Sequence, residues 1–209
     1  MTSEPIAIGG KPFLLVSDEG QAGSRAANCA SGNAFPNTAL FGFGRLIDIT
    51  DETRPVITTR LSLEIDDPKN CTKLADDTAF MAGGFGYSAH YCTADNRENT
   101  RLVACSRHEA GVRVYDVGDL SNPKEIAYYK PPIHTGENIP GSGINGTVNR
   151  TYDWNKSHSR FLNRNGRIEL WTTSNDGGFQ VLQFENNLTS RYGYLFERVP
   201  TSLSTITVP

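Results

Sequence analysis

Apolar residues along this chain fall into short runs separated by Gly, Pro, Asn and Asp. Phe13-Leu14-Leu15-Val16, LVACS (102–106) and IELWT (168–172) are either continuous or alternating, as half-buried strands are. VRVYDV (112–117), EIAYYK (125–130) and SAHYCT (88–93) behave the same way. No window carries an apolar stripe at helical spacing, so the pattern predicts an all-β chain. Across the middle of the sequence it predicts four consecutive antiparallel strands, at 88–94, 101–106, 111–117 and 124–130. Short polar segments ending in Gly, at Arg107–Gly111 and Ser174–Gly178, join strands where a side chain would resist the backbone angle.

One unit recurs. Gly44–Ile57 reads GRLIDITDETRPVI and Val112–Ile126 reads VRVYDVGDLSNPKEI. Asp48, Asp51 and Pro55 match Asp116, Asp119 and Pro123 at a constant offset of 68. In each copy the Asp is expected to cap backbone amides of the turn while Pro fixes one torsion. A weaker third copy aligns Arg101–Val117 with Arg167–Phe184, Gly111 with Gly178 and Val114 with Val181; Gln183 stands where Asp116 stood. Four antiparallel strands per repeat is the blade of a β-propeller. The expected fold is therefore a propeller, or an incomplete one, of four-stranded antiparallel blades in a single domain or fragment over 1–209. The blades fall at approximately 12–63, 87–131 and 153–198. A β-sandwich with similar hairpins is the alternative.

VRVYDVGDLSNPKEIAYYKPP resembles the repeat of the LVIVD-repeat β-propeller proteins, and GRLIDITDETRPVITTRLSL is similar to it over about twenty residues. SAHYCTADNRENTRLVACSRHEAGVRVYDV resembles the preceding half-blade of secreted members. The resemblance covers roughly 42–132 well and 154–184 weakly. It implies an exported or cell-surface protein related to the C-terminal part of a longer propeller, and it says little about chemistry. Three blades do not close a ring of the typical four to eight. Open blade edges then invite self-association.

Composition narrows the partners. The net charge is −3, with 20 Lys and Arg against 23 Asp and Glu, and no basic run exists, so nucleic acid is not an expected partner. No stretch approaches the length of a membrane helix, and residues 1–11 lack the order of an export signal. The four cysteines, Cys29, Cys71, Cys92 and Cys105, form no CxxC pair. Counting out from the hairpin centre sets Cys92 opposite Cys105, where a slightly strained cross-strand disulfide fits. Cys29 with Cys71, or Cys71 with Cys92, are further pairings, and four reduced thiols remain the alternative. Asn-x-Ser/Thr occurs at Asn70, Asn145, Asn149, Asn155 and Asn187 without establishing glycosylation.

The candidate chemistry is sparse. His90 and His158 fall near the starts of successive blades, where first strands line a propeller channel, and are the expected ligands of any metal ion; no other cofactor is expected. His108-Glu109, in a turn, is expected to be solvated. Asp18-Glu19 and Asp66-Asp67 offer oxygen ligands without EF-hand spacing. Tyr115, Tyr128, Tyr129 and Trp171 are expected between blades, and Trp154 there or at a channel mouth. Gly83–Gly86 has no helix after it to cradle phosphate. No nucleophile elbow, P-loop or dinucleotide fingerprint appears. The leading functional expectation is a binding or scaffold module. It would take a protein or glycan on a propeller face through loops 19–42, 64–86 and 131–152. The alternative is a metal-dependent, copper-type enzyme with its site in the channel.

Overall fold

The structure, a computed structural model, describes residues 2–19, 42–66, 87–130, 155, 157–174 and 177–184. Among these the chain is all-β, with one turn of 3₁₀ helix at Glu64–Asp66 and no α-helix. Four strands, β1 (Ser3–Ile8), β2 (Lys11–Ser17), β3 (Gly44–Asp48) and β4 (Val56–Leu61), form the first sheet in sequential order. β5 (Ala89–Ala94), β6 (Leu102–Arg107), β7 (Gly111–Asp116) and β8 (Lys124–Tyr129) form the second, again sequentially. β9 (Arg160–Arg164), β10 (Arg167–Ser174) and β11 (Gly178–Gln183) form a three-stranded third. Every pairing is antiparallel. Among the described residues the sheets are not closed into a ring.

The second sheet reproduces the four expected strands to within a residue or so at each end. The first begins earlier than the unit at 12–63. SEPIAI forms β1 and returns into β2 through Gly9 and Gly10, whose φ values of 57° and 76° suit a two-residue hairpin turn.

The sheets stack face to face, with the second in the middle. Ile6, Ile8, Phe13, Leu15, Leu46 and Leu61 of the first sheet pack with Cys92, Ala94, Val103, Cys105 and Tyr115 of the second. On the opposite face, Leu102, Ala104, Val112 and Val114 pack with Ile168 and Leu170 of the third. Alternation along β6 sends Val103 and Cys105 one way and Leu102 and Ala104 the other, so all six of its residues are buried. A large apolar side chain fully buried in such an interface contributes about 1.5–3 kcal/mol. Cys92 and Cys105, directly opposite in register, are joined by a disulfide. It lies against Gly44 of the neighbouring sheet, where an added Cβ would stand 2.8 and 2.9 Å from the two sulfur atoms. Cys29 and Cys71 lie outside the described residues.

The two copies of the repeat share local geometry. The Asp48 carboxylate accepts from Thr50 N at 2.8 Å and that of Asp116 from Gly118 N at 2.9 Å. Asp51 accepts from Thr53 N and Oγ1, and Asp119 from Ser121 N and Oγ, at matching distances. Pro55 and Pro123 each stand immediately before the last strand of their sheet. The strand register slips by one residue at Leu46/Ile47 in the first sheet and at Val114/Tyr115 in the second, again 68 residues apart.

Of the aromatic residues expected between sheets, Tyr115 is buried there and Tyr129 packs against the second interface. Tyr128 does not: it is 68% exposed, with the Arg113 guanidinium over its ring. Trp171 is half-buried on the outer face of the third sheet, edge-on to Phe179. Trp154 lies outside the described residues. Asn155 is fully buried and hydrogen-bonded to Thr172, which removes it as a glycan acceptor in the folded chain. The other four sequons lie outside the described residues.

Asp95, in the β5–β6 hairpin, accepts from the backbone amides of Asn96 and Arg101 through one oxygen, and the other is buried. Burial outweighs those hydrogen bonds and raises its pKa to about 6. The folded chain therefore holds this proton more tightly than the unfolded one. The resulting stabilisation is complete below about pH 4 and is lost as pH rises through about 6. Asp95→Asn keeps the accepting oxygen and removes the titration. In urea denaturation across this window, the variant is expected to gain stability relative to wild type as pH rises.

Candidate functional site

The sheet topology gives the stack two unlike ends. At one, β1–β2, β3–β4, β5–β6, β7–β8 and β9–β10 turn back tightly. At the other emerge the three long connections, from β2 to β3, β4 to β5 and β8 to β9. Corresponding ends of the sheets lie together. Ser17 Oγ donates to His90 O (2.8 Å), Ala89 N to Gly42 O (2.8 Å) and Asn155 N to His108 O (3.1 Å) at the loop end. Ala7 N donates to Arg97 O (2.7 Å) at the turn end. The expected binding loops 19–42, 64–86 and 131–152 thus all root at the loop end, although Gly20–Phe41, Asp67–Gly86 and Pro131–Trp154 lie outside the described residues, Gly83–Gly86 and His134 with them.

At the root of these loops three side chains converge. Glu19 follows β2, His90 lies in β5 and His108 follows β6. His108 Nε2 is 2.9 Å from Glu19 Oε1 and 3.1 Å from His90 Nδ1, and His90 Nδ1 is 3.4 Å from Glu19 Oε1. Each is positioned by its backbone. The β5–β6 register jumps from Ala89↔Arg107 to Tyr91↔Ser106, leaving His90 as the extra residue of a bulge, a device that re-aims a side chain. Its carbonyl is held by Ser17. His108 donates its amide to Ser88 O and is preceded by Arg107, which is wholly buried. Arg107 binds Asp66 at 3.0 Å, Tyr87 O at 2.9 Å and Leu61 O. Breaking such a pair is costly because the remaining charge stays buried.

The two acidic pairs considered for calcium divide. Asp18 is taken by Arg45 (2.8 Å) and by the amide of Gly42 (3.0 Å), while Glu19 turns to the histidines. Asp66 is taken by Arg107, and Asp67 lies outside the described residues. His108 and Glu109 are not solvated as expected: they are 2% and 0% exposed. Their hairpin loop is covered from both sides, by the 87–88 segment through Ser88 and by Asn155 of the next unit. His108 therefore replaces His158 as the neighbour of His90. His158, exposed, stacks instead on Tyr91, with ring centroids 3.9 Å apart. A polar cleft beside the β5–β6 hairpin is lined by Glu4, Asp95, Arg97 and Arg160.

Desolvation first, then the nearby positive charge of Arg160, holds the His158 imidazole below its ordinary pKa of 6.5. Its proton NMR titration midpoint is expected below that value, and Arg160→Ala is expected to move the midpoint upward.

Two imidazole nitrogens and a carboxylate oxygen, one ring buried and the other two groups partly open, form a donor set able to hold a divalent transition metal. No protein-family model matches the chain, and no curated protein matches it in sequence.

Proposed function

We propose that the chain is a set of blades of an extracellular β-propeller, and that it acts as a binding module for a protein or glycan seated on the loop end. The observation that carries this reading is the polarity of the stack. All three long connections leave at one end of a rigid, twice-packed core, where loops are free to vary while their roots stay fixed. The repeat at offset 68 and its resemblance to LVIVD-repeat propellers support the blade assignment. The Cys92–Cys105 disulfide suits an oxidising compartment. Among the described residues, no helix is long and apolar enough to cross a membrane.

The outer faces of the stack fit the same reading. Leu14, Ile47 and Ile57 stand side by side across the first sheet, and Ile57 is 47% exposed. Trp171 and Val181 are paired on the outer face of the third, beside the exposed Phe179. In a propeller, each such face packs against the next blade.

Two experiments test this. In a screen of glycans and secreted proteins, a bound partner is expected to be lost when residues 132–150 are replaced by a short Gly-Ser linker. It is expected to be retained in Ser121→Ala at the turn end; the reverse pattern would place recognition elsewhere. In sedimentation velocity the chain is expected to self-associate with rising concentration, and Ile57→Lys with Val181→Lys to shift it toward monomer. A wild-type chain that stays monomeric throughout would argue against unfilled blade contacts.

A further inference from the structure

We propose that Glu19, His90 and His108 form a binding site for one divalent ion of the late first-row transition series, with Zn²⁺ or Cu²⁺ as its tightest ligands. The proposal rests on the geometry of the three donor atoms. Points separated by 2.9, 3.1 and 3.4 Å lie on a circle of radius about 1.8 Å, which is shorter than a metal–nitrogen or metal–oxygen bond of about 2.0–2.2 Å. One ion displaced by about 1 Å from their plane therefore reaches all three at ordinary bond lengths. The three donors occupy one face of the ion and leave the other for water or an exogenous ligand.

Hydrogen bonding alone serves these atoms less well. His108 Nε2 faces both the carboxylate oxygen and His90 Nδ1, yet a neutral imidazole nitrogen carries either one proton or one lone pair. A single proton there is shared between two partners, and the two ring nitrogens still stand 3.1 Å apart. A cation would replace these competing demands by accepting a lone pair from each of the three atoms. Ligands of this kind disfavour Mg²⁺ and Ca²⁺, which prefer all-oxygen shells, and favour imidazole-seeking ions.

The site is also held in place before any ion arrives. The His90 carbonyl is fixed by Ser17, the His108 amide and carbonyl by Ser88 and Asn155, and Glu19 follows an Asp18 clamped to Arg45 and Gly42. Groups from all three sheets or their flanking segments thus converge on it. Two of the three ligands are partly open to solvent, with side-chain exposures of 25% for Glu19 and 20% for His90 against 2% for His108. The site stands on this geometry whether or not the loop end recognises a partner.

The test uses the whole chain, stripped with chelator and dialysed, titrated by calorimetry with Zn²⁺ and followed with Co²⁺ by visible absorption. One ion per chain is expected, with Co²⁺ developing the d–d bands of a nitrogen–oxygen site. Glu19→Gln and His90→Ala remove the two partly exposed ligands. They are expected to weaken binding by more than about tenfold, the lower end of the range over which even outer-shell partners act. Circular dichroism of the metal-free variants reports that they fold. His158→Ala, on the neighbouring Tyr91 stack, is expected to bind as wild type does. Absence of saturable binding by Zn²⁺, Cu²⁺ and Co²⁺ would overturn the proposal. So would wild-type affinity in folded Glu19→Gln and His90→Ala, or loss of binding in folded His158→Ala.

Discussion

Everything in this molecule depends on one strand being buried on both of its faces. β6 has no solvent side: Val103 and Cys105 close one interface and Leu102 and Ala104 the other. A strand in that position tolerates neither a shift of register nor a change of residue size without disturbing two sheets at once. The disulfide to Cys92 fits this constraint, because it locks β6 to β5 where Gly44 of the next sheet leaves room for the sulfur atoms. Arg107 ends the strand as a buried cation. Its partners, Asp66 and the carbonyls of Leu61 and Tyr87, draw the segments following β4 and preceding β5 over the same end.

The candidate site follows from this rigidity. His108 is the residue after Arg107, so its position is set by the anchored strand end. His90 is re-aimed by a bulge in the paired strand, and Glu19 arrives on the neighbouring sheet. The site therefore lies at a seam between two sheets, at the end from which the long connections leave, while the Asp-turn-Pro corners stand at the far end.

The second sheet was legible in sequence because each of its strands alternates or runs apolar between recognisable turns, and because Asp116, Asp119 and Pro123 repeat Asp48, Asp51 and Pro55. β1 was not. SEPIAI contains a proline and a charge, and its strand character comes from pairing with β2. Nor was β9 picked out within the unit at 153–198: RFLNR is short, with Phe161 and Leu162 set among charged and polar residues before the positive-φ turn at Asn165 and Gly166. The counting that set Cys92 opposite Cys105 would, if carried outward, have brought His90 close to Arg107 and His108. What it lacked was the bulge, which shifts the register by one. The burial of His108 and Glu109 was hidden for a different reason. A polar hairpin loop reads as solvated until the elements that cover it are known, and those belong to segments far away in sequence.

Native-state hydrogen exchange measures the central constraint directly. If β6 is clamped between two sheets, the backbone amides of Leu102–Arg107 exchange only through global unfolding, while those of the outer strands β4 and β11 exchange faster through local opening. Exchange in β6 as rapid as in β4 and β11 would contradict the twice-packed middle sheet.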